Sequence, residues 1–226
     1  MIWTYHGIFF ALGAIVSALS LGFWYRRFRV LSRWSPVEQL VFIFLVGLVG
    51  AKLAYGLFTL STNWLDYLAF WQVGLVSWGG LAAGAVASFL LYRRWGQLRL
   101  RLNLLILAVI PGWMVGRVGN LLQHDAYGVV DYRFSWFYNR VPVALFEIIG
   151  LLLIWLTALI LTRRDVDGKY LIGTVVTLYA GIRLVIDGWR ELPAVAMGLN
   201  ASQLVALGVM FCAIVTLWMK QPTRAT

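Results

Sequence analysis

Cysteine and histidine are nearly absent from this 226-residue chain, which holds one Cys (Cys212) and two His (His6 and His124). A lone cysteine excludes an internal disulfide, and with only two histidines beside it a Cys/His zinc site cannot be assembled. Acidic residues are scarce too, nine Asp and Glu against nineteen Lys and Arg. Charged residues make up 12% of the chain, about half the roughly 25% of an ordinary soluble domain, so a water-soluble globule is excluded. Low-complexity tracts, internal repeats and a recognisable soluble domain are missing as well.

What fills the chain is apolar: 62% hydrophobic residues, with twelve Trp, ten Tyr and thirteen Phe. Aromatic rings collect where a protein meets the two bilayer interfaces. The composition predicts an all-α integral membrane protein, a single polytopic domain over 1–226. Runs able to span a hydrocarbon core of about 30 Å fall near 3–25, 37–59, 72–92, 103–122, 142–162, 170–189 and 201–219. That gives about seven transmembrane helices. Basic clusters follow the first, third, fifth and seventh: Arg26, Arg27, Arg29 and Arg33; Arg93, Arg94, Arg99 and Arg101; Arg163, Arg164 and Lys169; Lys220 and Arg224. Clusters in alternate connections follow the positive-inside rule and predict an outside N-terminus and a cytoplasmic C-terminus. The net charge of +10 is therefore a topology signal, and no nucleic-acid partner is expected.

Several local features carry structural expectations. The first span lacks a basic n-region and is followed by arginines, which predicts an uncleaved N-out anchor. Gly80, Gly84 and Ser88 recur every four residues, a face suited to close helix packing. Glu38, after Ser35 and Pro36, reads as a cap of the second helix. Cys212 reads as a small core residue. The aromatic connection 123–141, with "VVDYRFSWFYNR", reads as interfacial.

Ionisable residues inside spans are expensive and need an explanation. Lys52, Arg117, Glu147, Arg183 and Asp187 lie within or at the outer ends of spans. Arg183, Asp187 and Arg190 share a helical face, and so do Arg117 and Asn120. The assigned topology puts all five charges toward the outer half, which predicts one shared cavity. Two arginines at one cavity point to an anion, since the guanidinium fork suits phosphate or carboxylate. Structural pairing of Arg117 with Asp125 or Glu147, and of Arg183 with Asp187, is the alternative; burying several such pairs is a poor route to stability. In a membrane the nearest anion is a lipid head group. His6, at the outer end of the first span, suits interfacial hydrogen bonding. His124 adjoins Asp125 and could serve as a base.

With these residues in place the chain resembles the prolipoprotein diacylglyceryl transferases. "GRVGNLLQHDAYG" (116–128) resembles the family signature GRxGN with its following acid and Gly. "YHG" (5–7) is similar to Trp-Tyr-Gly, "GAKLAYGLF" (50–58) to GGRxGYxLFY, and "GLVSWGG" (74–80) to GMSFHGG. "VPVALFE" (141–147) is similar to HPSQLYE, "GIRLVIDGWRE" (181–191) to FRxxxEFFR, and "ASQL" (201–204) to the start of the last family helix.

The resemblance implies an N-out bundle of about seven helices in the bacterial inner membrane. It implies transfer of the diacylglyceryl group of phosphatidylglycerol to the lipobox cysteine of a prolipoprotein signal peptide, with neither cofactor nor metal. Arg117 and Arg183 match the two essential arginines; Asn120 and Gly128 match the signature Asn and Gly. Asp125 and Asp187 stand where the family has Glu, and Glu147 matches the Glu ending HPSQLYE. Catalytic roles are thus expected for Arg117, Arg183, Asp125, Asp187, His6 and His124. Contact with the lipid phosphate is expected from Arg117, Arg183, Asn120, Gly128, Lys52 and Glu147. Four further positions depart: Trp78 and Val141 replace histidines, His6 a tyrosine and Lys52 an arginine. The phosphate-holding half of the site is kept while the proton-handling half is altered, with His6 or His124 as possible replacements. A non-catalytic paralogue binding anionic phospholipid or lipoprotein, and a small anionic-solute transporter, are the competing readings.

Overall fold

A computed structural model describes residues 3–58, 76–123, 128–164 and 170–218. Seven long helices account for most of them. They are α1 (Trp3–Arg27), α2 (Pro36–Phe58), α3 (Ser77–Trp95), α4 (Leu98–Leu122), α5 (Val143–Arg164), α6 (Tyr170–Asp187) and α7 (Ala201–Trp218). A 3₁₀ turn, Tyr132–Phe137, precedes α5, and a short hairpin of β1 (Ala194–Ala196) and β2 (Leu199–Asn200) joins α6 to α7. Among the described residues five helices are long and apolar enough to cross a membrane: α1, α2, α4, α5 and α6. The chain is a multi-pass membrane protein. In α3, Gly79, Gly80, Gly84, Arg93 and Arg94 dilute the apolar character. The apolar stretch of α7, Ala201–Leu217, rises only about 26 Å.

Glycine seams set how the helices cross. A Cβ on Gly13 would stand 2.5 Å from Gly112 O, so α1 and α4 meet backbone to backbone. The face of α3 predicted for close packing meets α2, with Gly80 beside Gly47 and Gly84 beside Ile43. Gly79 deepens that seam, since a Cβ there would lie 2.6 Å from Gly50 O. The main apolar core gathers Leu21, Tyr92, Leu104, Leu107, Ile154 and Leu171 from α1, α3, α4, α5 and α6. Many large apolar side chains stay exposed, among them Phe23, Leu153 and Phe211, as expected where acyl chains are the solvent.

The α2 cap forms as a reciprocal box: Ser35 Oγ accepts from Glu38 N (3.2 Å) and Glu38 Oε2 accepts from Ser35 N (2.6 Å). Other expectations need correction. α4 begins at Leu98, before the predicted 103, which draws Arg99 and Arg101 into the helix. Arg101 is buried and no solvated flank residue: it donates to Gly96 O (3.1 Å) and Leu31 O (2.6 Å) and lies over the rings of Tyr25 and Trp95. Cys212 is exposed on α7, because in a membrane helix the apolar face need not be the core face. α6 stops at Asp187 and does not reach 189, so Arg190 sits in the following turn. In the 3₁₀ turn Tyr132 and Trp136 are exposed and Phe137 is buried; Tyr138, just after it, is exposed.

Candidate active site

One end of the bundle brings together the start of α3, the late part of α4, the first turns of α5 and α7, and the last turn of α6. Pro142 precedes α5 and its carbonyl accepts from Leu145 N (3.0 Å), which starts the helix one turn before Glu147. A carboxylate near a helix N-terminus is favoured by the peptide dipoles. Glu147 lies at the centre of the charges. Its Oε1 accepts from Arg183 Nη1 (2.7 Å) and Arg190 Nη2 (2.8 Å), and its Oε2 lies 2.9 Å from Arg117 Nε. Asp187 Oδ2 pairs Arg183 Nη2 at 2.9 Å, and Oδ1 lies 3.2 Å from Arg190 Nε.

Among the described residues three guanidinium groups face two carboxylates, an excess of one positive charge. The pairing is incomplete. Glu147 Oε2, Arg183 Nε, Asp187 Oδ1 and Arg190 Nε are buried without an aligned hydrogen bond. Arg117 approaches Glu147 most closely through Nε, and its two terminal nitrogens donate no hydrogen bond to a protein acceptor among the described residues. Buried polar groups left this way are uncommon in native proteins and each asks for a reason. Beneath the charges Trp113, Arg117, Glu147, Leu151, Tyr179 and Arg183 help line a cavity of about 10 Å³, room for about one water.

Trp78, at the start of α3, enters the site by a hydrogen bond. Its Nε1 donates to Ser202 Oγ (2.7 Å), and Ser202 Oγ donates in turn to Asp187 Oδ2. Its ring meets Tyr179 edge to face, with centroids 5.8 Å apart. An indole N–H only donates, so Trp78 cannot take a proton as an imidazole can. The start of α7 is fixed to the end of α6 by a second capping box. Asn200 Oδ1 accepts from Gln203 N (2.9 Å) and Gln203 Oε1 from Asn200 N (3.1 Å). Their amide groups donate to Asp187 O (2.8 Å) and Leu184 O (2.9 Å).

Of the residues expected from sequence, Arg117, Glu147, Arg183 and Asp187 meet directly. Glu147 faces three arginines, an arrangement in which a carboxylate holds the guanidinium groups in place. Asn120 is half-buried on α4, one turn beyond Arg117. Lys52 is buried on α2, its ammonium 5.2 Å from the Tyr55 ring centroid. Gly128 acts through the backbone: its N–H donates to Val141 O (2.9 Å), and a Cβ there would lie 2.7 Å from Trp189 O. Val141 is buried with Val143 and Ile186. His124, Asp125 and the side chain of His6 lie outside the described residues. Sequence reasoning placed Arg190 on the right face but not in the site, and missed Ser202. The signal for Ser202 was available in Asn200-x-x-Gln203, a capping pattern that sets Ser202 in the first turn of a helix.

The family model described as "Prolipoprotein diacylglyceryl transferase" matches residues 2–219. Relatives named phosphatidylglycerol–prolipoprotein diacylglyceryl transferase agree over most of their length. The Streptococcus sanguinis protein is 30% identical over 210 residues, covering 79% of this chain and 78% of that one. The Lactococcus lactis subsp. cremoris protein is 28% identical over 204 residues, covering 78% and 76%. The Finegoldia magna protein is 24% identical over 225 residues, covering 93% and 88%. With a match that runs from the first turn of α1 to the end of α7, the chain belongs to the prolipoprotein diacylglyceryl transferase family.

Proposed function

We propose that this single polytopic domain, with its N-terminus outside and C-terminus cytoplasmic in the bacterial inner membrane, transfers diacylglyceryl from phosphatidylglycerol to the lipobox cysteine of prolipoproteins. The carrying observation is Arg117, whose terminal nitrogens donate no hydrogen bond to a protein acceptor among the described residues, at a cluster that within those residues has one excess positive charge. A phosphodiester carries one negative charge and would complete that balance. The sulfur of the client thiolate forms a bond to the glyceryl methylene carbon. The carbon–oxygen bond to phosphate breaks, and its electron pair departs on glycerol phosphate. Arg117 and Arg183 hold that oxygen in a site of low dielectric, where fixed charge acts strongly. Glu147, Asp187 and Ser202 hold the arginines in place.

The thiol proton needs an acceptor, since a thiol is mostly protonated near neutrality. Trp78 and Val141 cannot accept it, and Glu147 and Asp187 already face arginines. His6, His124 and Asp125 remain the candidates. The donor-only indole also favours a second reading, a paralogue that grips an anionic phospholipid without transfer.

One assay separates the two: purified protein, phosphatidylglycerol vesicles and a synthetic lipobox peptide read by mass. A peptide heavier by one diacylglyceryl unit supports transfer; bound lipid without a product, beside an active relative, supports the paralogue. Arg117→Ala is expected to lower the rate by about 10²–10³. Full activity and lipid affinity in that variant would remove Arg117 from the site.

A further inference from the structure

A second concave and basic site lies at the other end of α4. Arg101 and Arg117 are sixteen residues apart on that helix, about 24 Å of rise, so the two sites cannot share one ligand phosphate. A cavity of about 450 Å³ opens where α1 ends and α2 begins, within the roughly 300–1,000 Å³ typical of small-ligand pockets. Tyr25, Arg26, Arg29, Ser32, Ser35 and Pro36 line it.

The backbone holds Arg29 in an unusual way. α1 closes with Val30 N donating to Tyr25 O (2.9 Å) and Arg29 N to Arg26 O (3.3 Å), and Arg29 has φ of +51°. Glycine normally takes that position, because a side chain there is strained. The chain instead keeps an arginine at the wall of the cavity. A second guanidinium borders the same wall. Arg101 is 97% buried and its Nη2 donates to the carbonyl of Leu31, a lining residue, while Nη1 is buried with no hydrogen-bond acceptor among the described residues. Glu38, the carboxylate nearest in sequence, is engaged in capping α2.

We propose that this cavity binds a phosphate ester, with Arg26 and Arg29 as its charged ligands and the Ser32 and Ser35 hydroxyls beside them. The source is either the head group of an anionic phospholipid in the adjoining leaflet or a small soluble phosphate ester. The site is independent of the transfer reaction and does not rest on it.

The test is amide hydrogen exchange of the full chain in nanodiscs, followed over residues 26–36. Phosphatidylglycerol nanodiscs are compared with phosphatidylcholine nanodiscs, the latter with and without added glycerol phosphate. Slowing of several-fold in phosphatidylglycerol alone identifies a lipid head group; slowing with glycerol phosphate in phosphatidylcholine identifies a soluble ester. Arg26→Gln/Arg29→Gln is expected to abolish the slowing. Arg27→Gln/Arg33→Gln, which removes equal charge from residues outside the lining, is expected to keep it. No slowing with either phosphate overturns the proposal. So does slowing that survives in the first double variant or vanishes equally in both. Unchanged exchange within α4 in phosphatidylcholine checks that the variants fold.

Discussion

Arg101 and Arg183 are equally buried, at 3% and 4% exposure, yet the molecule accommodates them by opposite means. Among the described residues Arg101 meets neutral partners: two carbonyls and two aromatic rings. Arg183 meets two carboxylates that are themselves shared with Arg117 and Arg190. Carbonyls anchor a guanidinium and leave its charge in place. Shared carboxylates nearly cancel the charge of the group, so one added anion matters there. The first arrangement fixes the connection between α1 and α2; the second is suited to receive and release a charged ligand.

Removing the shared carboxylate is the sharpest way to break this contrast. Glu147→Gln keeps the shape but leaves three guanidinium groups around a neutral amide. It should lower transfer by about 10² or more and stability by about 3–5 kcal/mol, read by the mass assay and by thermal unfolding in detergent. Arg101→Met should act at the other end through stability, lowering it by about 1–3 kcal/mol as the Leu31 and Gly96 carbonyls lose their donor. An unfolding temperature equal to wild type would show that those bonds contribute nothing.

Ser202→Ala is a finer probe. It removes a donor from Asp187 and the acceptor of Trp78 Nε1, and should slow transfer roughly five-fold, the equivalent of about 1 kcal/mol. A rate unchanged in that variant would reduce Ser202 to a helix-start residue. The smallest effect concerns Asp131, outside the spans. Its hydrogen bonds from Arg133 hold its carboxyl below the usual carboxylate range. With the folded value below the unfolded one, its contribution is present above ordinary carboxylate pH and lost as pH falls through the depressed value. Amide exchange at Arg133, whose N–H donates to Asp131 Oδ1, should accelerate below that pH, and Asp131→Asn should remove the pH step.

The helices were legible because long apolar runs leave little choice of structure. The ion cluster was partly legible for a related reason: charge inside an apolar run stands out, so Arg117, Glu147, Arg183 and Asp187 were all visible. What stayed hidden depends on chain turns. Arg190 belongs to the cluster because α6 stops at Asp187, and Arg101 left its flank because α4 starts early. Cys212 was misplaced by a rule for water-soluble cores. Gly128 is constrained by two carbonyls from distant segments, Val141 and Trp189, that no local pattern reveals.

The glycine seams also determine which parts of the molecule can move. Where backbones touch, as in α1 with α4 and α2 with α3, two helices behave mechanically as one plank. α2 and α3 pack extensively on each other and sparsely on α1 and α4. The cavity with room for one water is lined from α4, α5 and α6, so of the two planks only the one containing α4 forms its wall. The other plank reaches the site by a single thread: the hydrogen bond from Trp78 to Ser202 crosses from α3 to α7 and ends on the hydroxyl that holds Asp187.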